Sequence, residues 1–142
     1  MKISARNQLA GKVEKVTKGA VNSEVDLVLG GGEKVVAIIT NSSVDSLGLA
    51  AGKEAFAIIK ASEVMVGKGL EGAKLSSRNI LAGEVTAVQD GAVNSEVDIK
   101  LPGGTLMAAS ITKASAHSLN LKVGDKVSAI IKASNVIVGV AH

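Results

Sequence analysis

The stretch Gly19-Ala20-Val21-Asn22-Ser23-Glu24-Val25-Asp26 recurs letter for letter as Gly91-Ala92-Val93-Asn94-Ser95-Glu96-Val97-Asp98, and this repetition constrains the fold more than any other feature. Arg6 falls on Arg78, Thr40 on Thr112 and Lys60 on Lys132, at a constant offset of 72 with no gap from Lys2/Lys74 to Gly67/Gly139. Of these 66 pairs, 37 are identical. Two copies describe a duplicated domain, because stacked solenoids need about three or more units to bury a core. The expected division is residues 1–67, a linker at 68–73, and 74–142.

Units this small are marginal alone, since a chain of about 60 residues buries only about 60% of its unfolded surface. With no cysteine there is no disulfide or Cys-based metal staple. The missing stability is expected from packing of the two copies against each other and from oligomerisation. The Met-Lys start lacks the apolar run of a secretory signal and no stretch approaches a membrane span, so a cytoplasmic protein without membrane contact is expected. The net charge of +3 is mild and the Lys and Arg residues are scattered singly. One Phe, with no Trp or Tyr, cannot build the stacking platform of a single-strand nucleic-acid module, so no nucleic-acid partner is expected.

Residues 2 to 8 read as an irregular polar lead-in, followed by a strand over Leu9 to Lys18 that is expected to bulge or bend at Gly11. Val21, Ser23, Val25, Leu27 and Leu29 alternate with Asn22, Glu24, Asp26 and Val28 at the two-residue period of a half-buried strand. Gly30-Gly31-Gly32, replaced by Pro102-Gly103-Gly104 in the second copy, supplies the hairpin turn. Val35 to Thr40 is apolar almost throughout, as for a strand buried on both faces or in a subunit contact. Asn41-Ser42-Ser43 offers capping groups for one short helical turn before Gly48. Strands over Ala55 to Ile59 and Val64 to Val66 complete each copy, and Val140-Ala141-His142 reads as a frayed tail. The fold class is therefore all-β, two tandem five-stranded barrels of the oligonucleotide/oligosaccharide-binding (OB) type, each with one short helical turn.

Polar side chains kept at equivalent positions are Ser4/Ser76, Arg6/Arg78, Asn7/Asn79, Asn22/Asn94, Thr40/Thr112, Ser43/Ser115, Lys60/Lys132 and Ser62/Ser134. Nearly all can donate hydrogen bonds, and the Ser-Ala-Arg-Asn and Lys-Ala-Ser segments carry no carboxylate. Donors without acceptors suit an anion fully deprotonated at neutral pH, such as molybdate, tungstate or sulfate. Phosphate, which keeps a proton near pH 7, would want an acceptor as well. One Arg plus one Lys balances a dianion, which limits the cost of burying it. Without cysteine, and with two isolated histidines, no nucleophile and base are paired, so no enzyme, no catalytic cofactor and no directly coordinated metal are expected.

The run Ser-Ala-Arg-Asn-Gln-Leu-Ala-Gly-Lys-Val, then Gly-Ala-Val-Asn-Ser-Glu-Val, Ile-Thr with Ser-Leu-Gly-Leu, and Ile-Ile-Lys-Ala-Ser-Glu-Val-Met-Val-Gly closely resembles the molbindin (Mop) family. The resemblance covers nearly the whole chain in both copies. It implies tandem Mop domains of OB type that exchange strands, assemble as a homotrimer of six barrels, and bind molybdate in the cytoplasm for molybdenum storage and homeostasis, tungstate being accepted too. It places Ser4 and Arg6 of one barrel against Thr40, Ser43, Lys60, Ala61 and Ser62 of another, Ala61 through its backbone only. The same roles carry to Ser76, Arg78, Thr112, Ser115, Lys132, Ala133 and Ser134. A second class of anion site near a threefold axis would use Gly19, Ala20, Val21 and Asn22, with Gly91, Ala92, Val93 and Asn94. The alternative is a molybdate-responsive regulatory module acting through a separate partner.

Overall fold

Alternation of small and branched side chains with polar ones makes strand the dominant element of this chain. The computed structural model describes residues 2–141, so the outermost residues of the sequence-derived division, Met1 and His142, lie outside it. The first repeat forms β1 (Asn7–Lys18), β2 (Asn22–Leu29), β3 (Lys34–Thr40), α1 (Asn41–Leu47), β4 (Glu54–Ile59) and β5 (Met65–Gly67). The second forms β6 (Asn79–Asp90), β7 (Asn94–Lys100), β8 (Leu106–Thr112), α2 (Lys113–Ser118), β9 (Lys126–Ile131) and β10 (Ile137–Gly139). Ser23, Val25, Leu27 and Leu29 of β2 are buried while Glu24, Asp26 and Val28 are half-exposed, the period-two pattern of a strand with one core face.

The strands form two five-stranded antiparallel sheets, ordered β10-β4-β1-β2-β3 and β5-β9-β6-β7-β8. The last strand of each repeat is thus exchanged. Ile137, Val138 and Gly139 pair with Ile58, Ala57 and Phe56 of the first repeat, while Met65, Val66 and Gly67 pair with Ile130, Ala129 and Ser128 of the second. A 3₁₀ turn precedes each exchanged strand, Ala61–Glu63 packing on β8 and Ala133–Asn135 on β3. These turns aim the chain at the opposite sheet. The buried side chains of both repeats form one contiguous core.

Two buried asparagines fasten the repeats together. Asn7 Nδ2 donates to Ala108 O at 2.9 Å and Asn7 Oδ1 accepts from Ala108 N at 2.8 Å. Asn79 holds Val36 in the same way, at 2.8 and 2.7 Å. Each side-chain amide thereby satisfies a peptide group on an outer strand of the opposite sheet, as a neighbouring strand would. Glu33 adds bonds from Gly103 N at 3.0 Å and Thr105 Oγ1 at 2.6 Å, and Asn135 Nδ2 donates to Glu63 at 2.9 Å. Gly31 and Gly103 face each other so closely that a Cβ on Gly103 would overlap the Gly31 carbonyl oxygen.

Several local expectations change. The first strand begins at Asn7, not Leu9, because Asn7 already pairs with Ile59. The register break lies between Val13 and Lys15, and between Val85 and Ala87, not at Gly11. Gly11 and Gly83 instead sit where a Cβ would strike the neighbouring strand, Val28 O and, at 2.8 Å, Lys100 O. Val21 belongs to the turn and is 71% exposed. β3 buries Val35 and Ala37 but leaves Ile38 exposed, so it is covered on one face within the chain. The cap of α1 is Thr40, whose side chain accepts from Ser43 N, and Asn41 to Ser43 already lie inside the helix. Gly48, left-handed at φ 64°, is replaced in the second repeat by Asn120 at φ 49°, a residue that tolerates this region. Val140 is half-buried against the core instead of frayed.

Candidate oxyanion site

The ladder joining β1 and β4 ends at Asn7 and Ile59, so Arg6 and Lys60 follow directly beyond it on adjacent strands. Arg78 and Lys132 stand in the same relation beyond Asn79 and Ile131. Both pairs of cations therefore gather at strand ends within a repeat. Lys60, Lys132, Ser4, Ser76, Ser62 and Ser134 are exposed, and their side chains make no hydrogen bond among the described residues. Ala61 and Ala133 open the two 3₁₀ turns, and Ala133 is buried.

Thr40 and Ser43 are brought together by helix capping: Thr40 Oγ1 accepts from Ser43 N at 3.1 Å and bonds the Ser43 hydroxyl at 2.9 Å. Thr112 and Ser115 repeat this at 3.1 and 2.7 Å. The turn Ala133–Asn135 of the second repeat packs on β3, the strand that ends at Thr40, and Ala61–Glu63 packs on β8, which ends at Thr112. The Lys-Ala-Ser segment of one repeat thus meets the Thr-containing strand of the other within a single chain.

Neither arginine is free. Arg78 reaches across to Glu24 on β2 with two bonds, Nη1 to Oε1 at 2.6 Å and Nη2 to Oε2 at 3.2 Å. Arg6 pairs with Glu96 on β7 through a single nitrogen. The donor-only character read from the sequence holds within each segment but fails across the repeats, because the opposite copy supplies a carboxylate. Glu24 and Glu96 were missed as partners of the arginines although they lie in the eight identical residues. Their strand pattern marked them as outward-facing but gave no hint of which side chain would approach.

The Arg78 guanidinium lowers the Glu24 pKa, and Glu24 in turn raises that of Arg78. Asp26, two residues on, is pushed up, first by burial and then by Glu24, and its Oδ1 is buried without a partner. At the other corner Lys18 pairs with Asp45 at 2.7 Å, and the second repeat reverses the charges, pairing Asp90 with His117 at 3.0 Å. His117 is thereby an exposed hydrogen-bonding partner of Asp90. Among the described residues no group of three His, Cys, Asp or Glu side chains could hold a metal ion.

The second set of loops is closed on itself. Gly19 N donates to Asn22 O at 2.8 Å, and Asn41 covers Val21 O with its backbone N–H and Gly19 O with its side chain, both at 2.9 Å. In the second repeat Gly91 N donates to Asn94 O at 2.7 Å, and Lys113, in place of Asn41, keeps the backbone bond to Val93 O at 2.8 Å but has no side-chain amide to cover Gly91 O. Val21 and Val93 project outward from the two loops. A cavity of about 690 Å³ is lined by Leu70 of the linker and by Ile80, Leu101 and Lys126, and no candidate anion residue lines it.

Acid should weaken the fold. Glu24 (held down by Arg78), Asp90 (by His117) and Asp125 (by Lys68) all have pKa values below the ordinary 4.5 or 3.8. A lowered folded pKa gives stability that is full above the ordinary value and is lost as pH falls through the folded value. Asp26, raised, opposes this in part by losing an unfavourable charge as pH falls. The melting temperature is expected to drop as pH falls below the ordinary carboxylate values of 4.5 and 3.8, and less in an Asp90→Asn, Asp125→Asn variant; equal acid sensitivity in the two would dismiss these pairs as the cause.

A duplicated, strand-exchanged pair of β-sheet modules, with cationic and hydroxyl donors gathered where the repeats meet, defines a small-ligand binding protein of the OB type. Residues 3–66 and 75–138 both match the TOBE domain, and the chain belongs to that family. It is 44% identical over 137 residues to the molybdenum-pterin-binding protein MopA of Rhodobacter capsulatus, a match covering 96% of this chain and 52% of that protein. It is 40% identical over 140 residues to the molybdenum transport protein ModE of Herbaspirillum seropedicae, covering 99% of this chain and 52% of that one. The chain therefore spans about half the length of these curated relatives. A probable molybdenum-pterin-binding protein of Haemophilus influenzae matches one repeat, 52% identical over 67 residues, covering 47% of this chain and 97% of that protein. Among solved structures, the cytoplasmic molybdate-binding protein ModG with molybdate bound superposes with a TM-score of 0.96 at 51% identity, covering 99% of this chain and 100% of that chain.

Proposed function

We propose that this chain is a cytoplasmic molybdate-binding protein of storage and homeostasis, holding the intact tetrahedral dianion by hydrogen bonds and charge, without catalysis. The observation that carries this reading is the end-to-end likeness to a molybdate-bound protein at 51% identity, and the donor set of the repeats supports it. Ser4, Arg6, Thr40, Ser43, Lys60, the Ala61 backbone and Ser62, with their counterparts 72 residues on, form the site. Tungstate, of nearly equal size and charge, is accepted as well. Since several of these donors are exposed in the single chain, the sites are completed between chains of a homotrimer, and the exposed loops around Val21 and Val93 contribute the second class of site.

Equilibrium dialysis against molybdate with sulfate in large excess, with native mass read on the same sample, tests this. The expected result is several molybdenum atoms per trimer and a higher melting temperature with ligand, because a ligand that binds only the folded assembly stabilises it by mass action. Arg6→Ala with Arg78→Ala should weaken binding about 10- to 100-fold per site, the value of a charge-assisted hydrogen bond. A protein that retains no molybdenum would overturn the reading.

A further inference from the structure

The crossed pairs Arg78–Glu24 and Arg6–Glu96 are not ordinary neighbours along a strand. Each joins the lead-in of one repeat to the outward face of the other. Glu24 meets the Arg78 fork with both oxygens, so the carboxylate occupies both terminal nitrogens. A tetrahedral oxyanion seeks that same fork, since bidentate pairing is how a guanidinium recognises carboxylate and phosphate-like oxygens alike. The N–H groups held by the carboxylate cannot serve the oxyanion at the same time, and binding on the remaining N–H groups of one guanidinium would set two anions side by side at the cost of their repulsion. We infer that Glu24 and Glu96 are internal competitors of the oxyanion, each latching the arginine of the opposite repeat until ligand is captured. This rests on the reading of Arg6 and Arg78 as oxyanion ligands.

The surroundings make the two latches unequal. Beside Glu24 on β2 stands Asp26, with a buried oxygen that has no partner. Lys15 of β1 lies opposite Asp26 in the ladder, and β3 places the apolar Ile38 opposite Glu24. A released Glu24 therefore finds a second cation in Lys15. In the second repeat the residue opposite Asp98 is Ala87, so a released Glu96 finds none there. On the other side, Arg78–Glu24 is a two-point contact and Arg6–Glu96 a one-point contact. Two sites built from near-identical residues thus differ in what the ligand displaces.

The test compares the full chain with Glu24→Gln, Glu96→Gln and the double variant, using molybdate as probe in calorimetric titrations. Glu54→Gln, an exposed carboxylate away from the arginines, controls for net charge. Each latch variant is expected to bind about two- to fivefold tighter, the value of an exposed ion pair, with the Glu54 variant unchanged. A crystal structure of the wild-type complex is expected to show Glu24 withdrawn from Arg78. Wild-type binding that is unchanged or weakened in the latch variants, or an Arg78–Glu24 contact that survives in the complex, overturns the latch and leaves the molybdate site standing. If neither wild type nor variants bind molybdate, the site itself falls and the latch with it. Ligand-free melting of the variants separates loss of fold from change in affinity.

Discussion

Truncation of the chain after Asn135 is expected to unfold the N-terminal repeat before the C-terminal one. The segment removed contains β10, whose ladder partner is β4 of the first repeat. Val136 and Val138 leave the core with it, being 2% and 7% exposed. Burying a Val is worth about 1.5–3 kcal/mol, so about 3–6 kcal/mol of core is lost. The outer side of β4 is also left unpaired, an open sheet edge. Residue-resolved hydrogen exchange should show protection disappearing from β4 and β1 while β9 and β6 keep theirs. Protection lost first from β9, the strand nearest in sequence to the cut, would refute exchange within one chain.

Asn79→Ala is expected to destabilise the protein almost as much, although the side chain removed is small. Asn79 satisfies both the N–H and the C=O of Val36 from the opposite repeat, and at 1% exposure no water stands ready to replace it. Each orphaned group costs about 1–3 kcal/mol, so the single variant should lose about 2–6 kcal/mol and about 8–24 °C of melting temperature. Asn7→Ala should behave alike through Ala108. Gln8→Ala is the control, because among the described residues the Gln8 side chain bonds only the nearby Ile3 and Ala5 carbonyls. If the Asn variants melt no lower than the control, the amide pairs do not hold the repeats together.

These two predictions fall on features of different legibility. The positions of Asn7 and Asn79 were visible as a polar pair kept in both copies, yet they were grouped with the donors of an anion site. A buried amide that mimics a peptide group and an exposed one that meets a ligand share the same letter, and only burial separates them. Arg6 and Arg78 stood out as repeated cations, whereas their carboxylate partners went unread because the contact spans 54 and 90 residues. Thr40 as a helix cap escaped too: the capping role was read on Asn41 to Ser43, one to three residues further on.

The sequence by itself determined that there are two equivalent modules, that each is built of strands at a two-residue period, and that the turns sit at Gly30 to Gly32 and Pro102 to Gly104. These follow from local chemistry: the side-chain alternation of a pleated strand and the backbone freedom of glycine act over a few residues, and the repeat shows them twice. Which module each final strand completes was decided only in the tertiary structure. A three-residue strand gains the same ladder bonds from either β4 or β9, since both present Ala and Ile in near-identical order. The choice is made by the 3₁₀ turn packing on the opposite sheet and by the buried asparagines that hold the two sheets together. The pairing of each arginine with the far repeat follows from that same closure, because only the exchanged arrangement brings a lead-in segment of one copy to the outward face of the other.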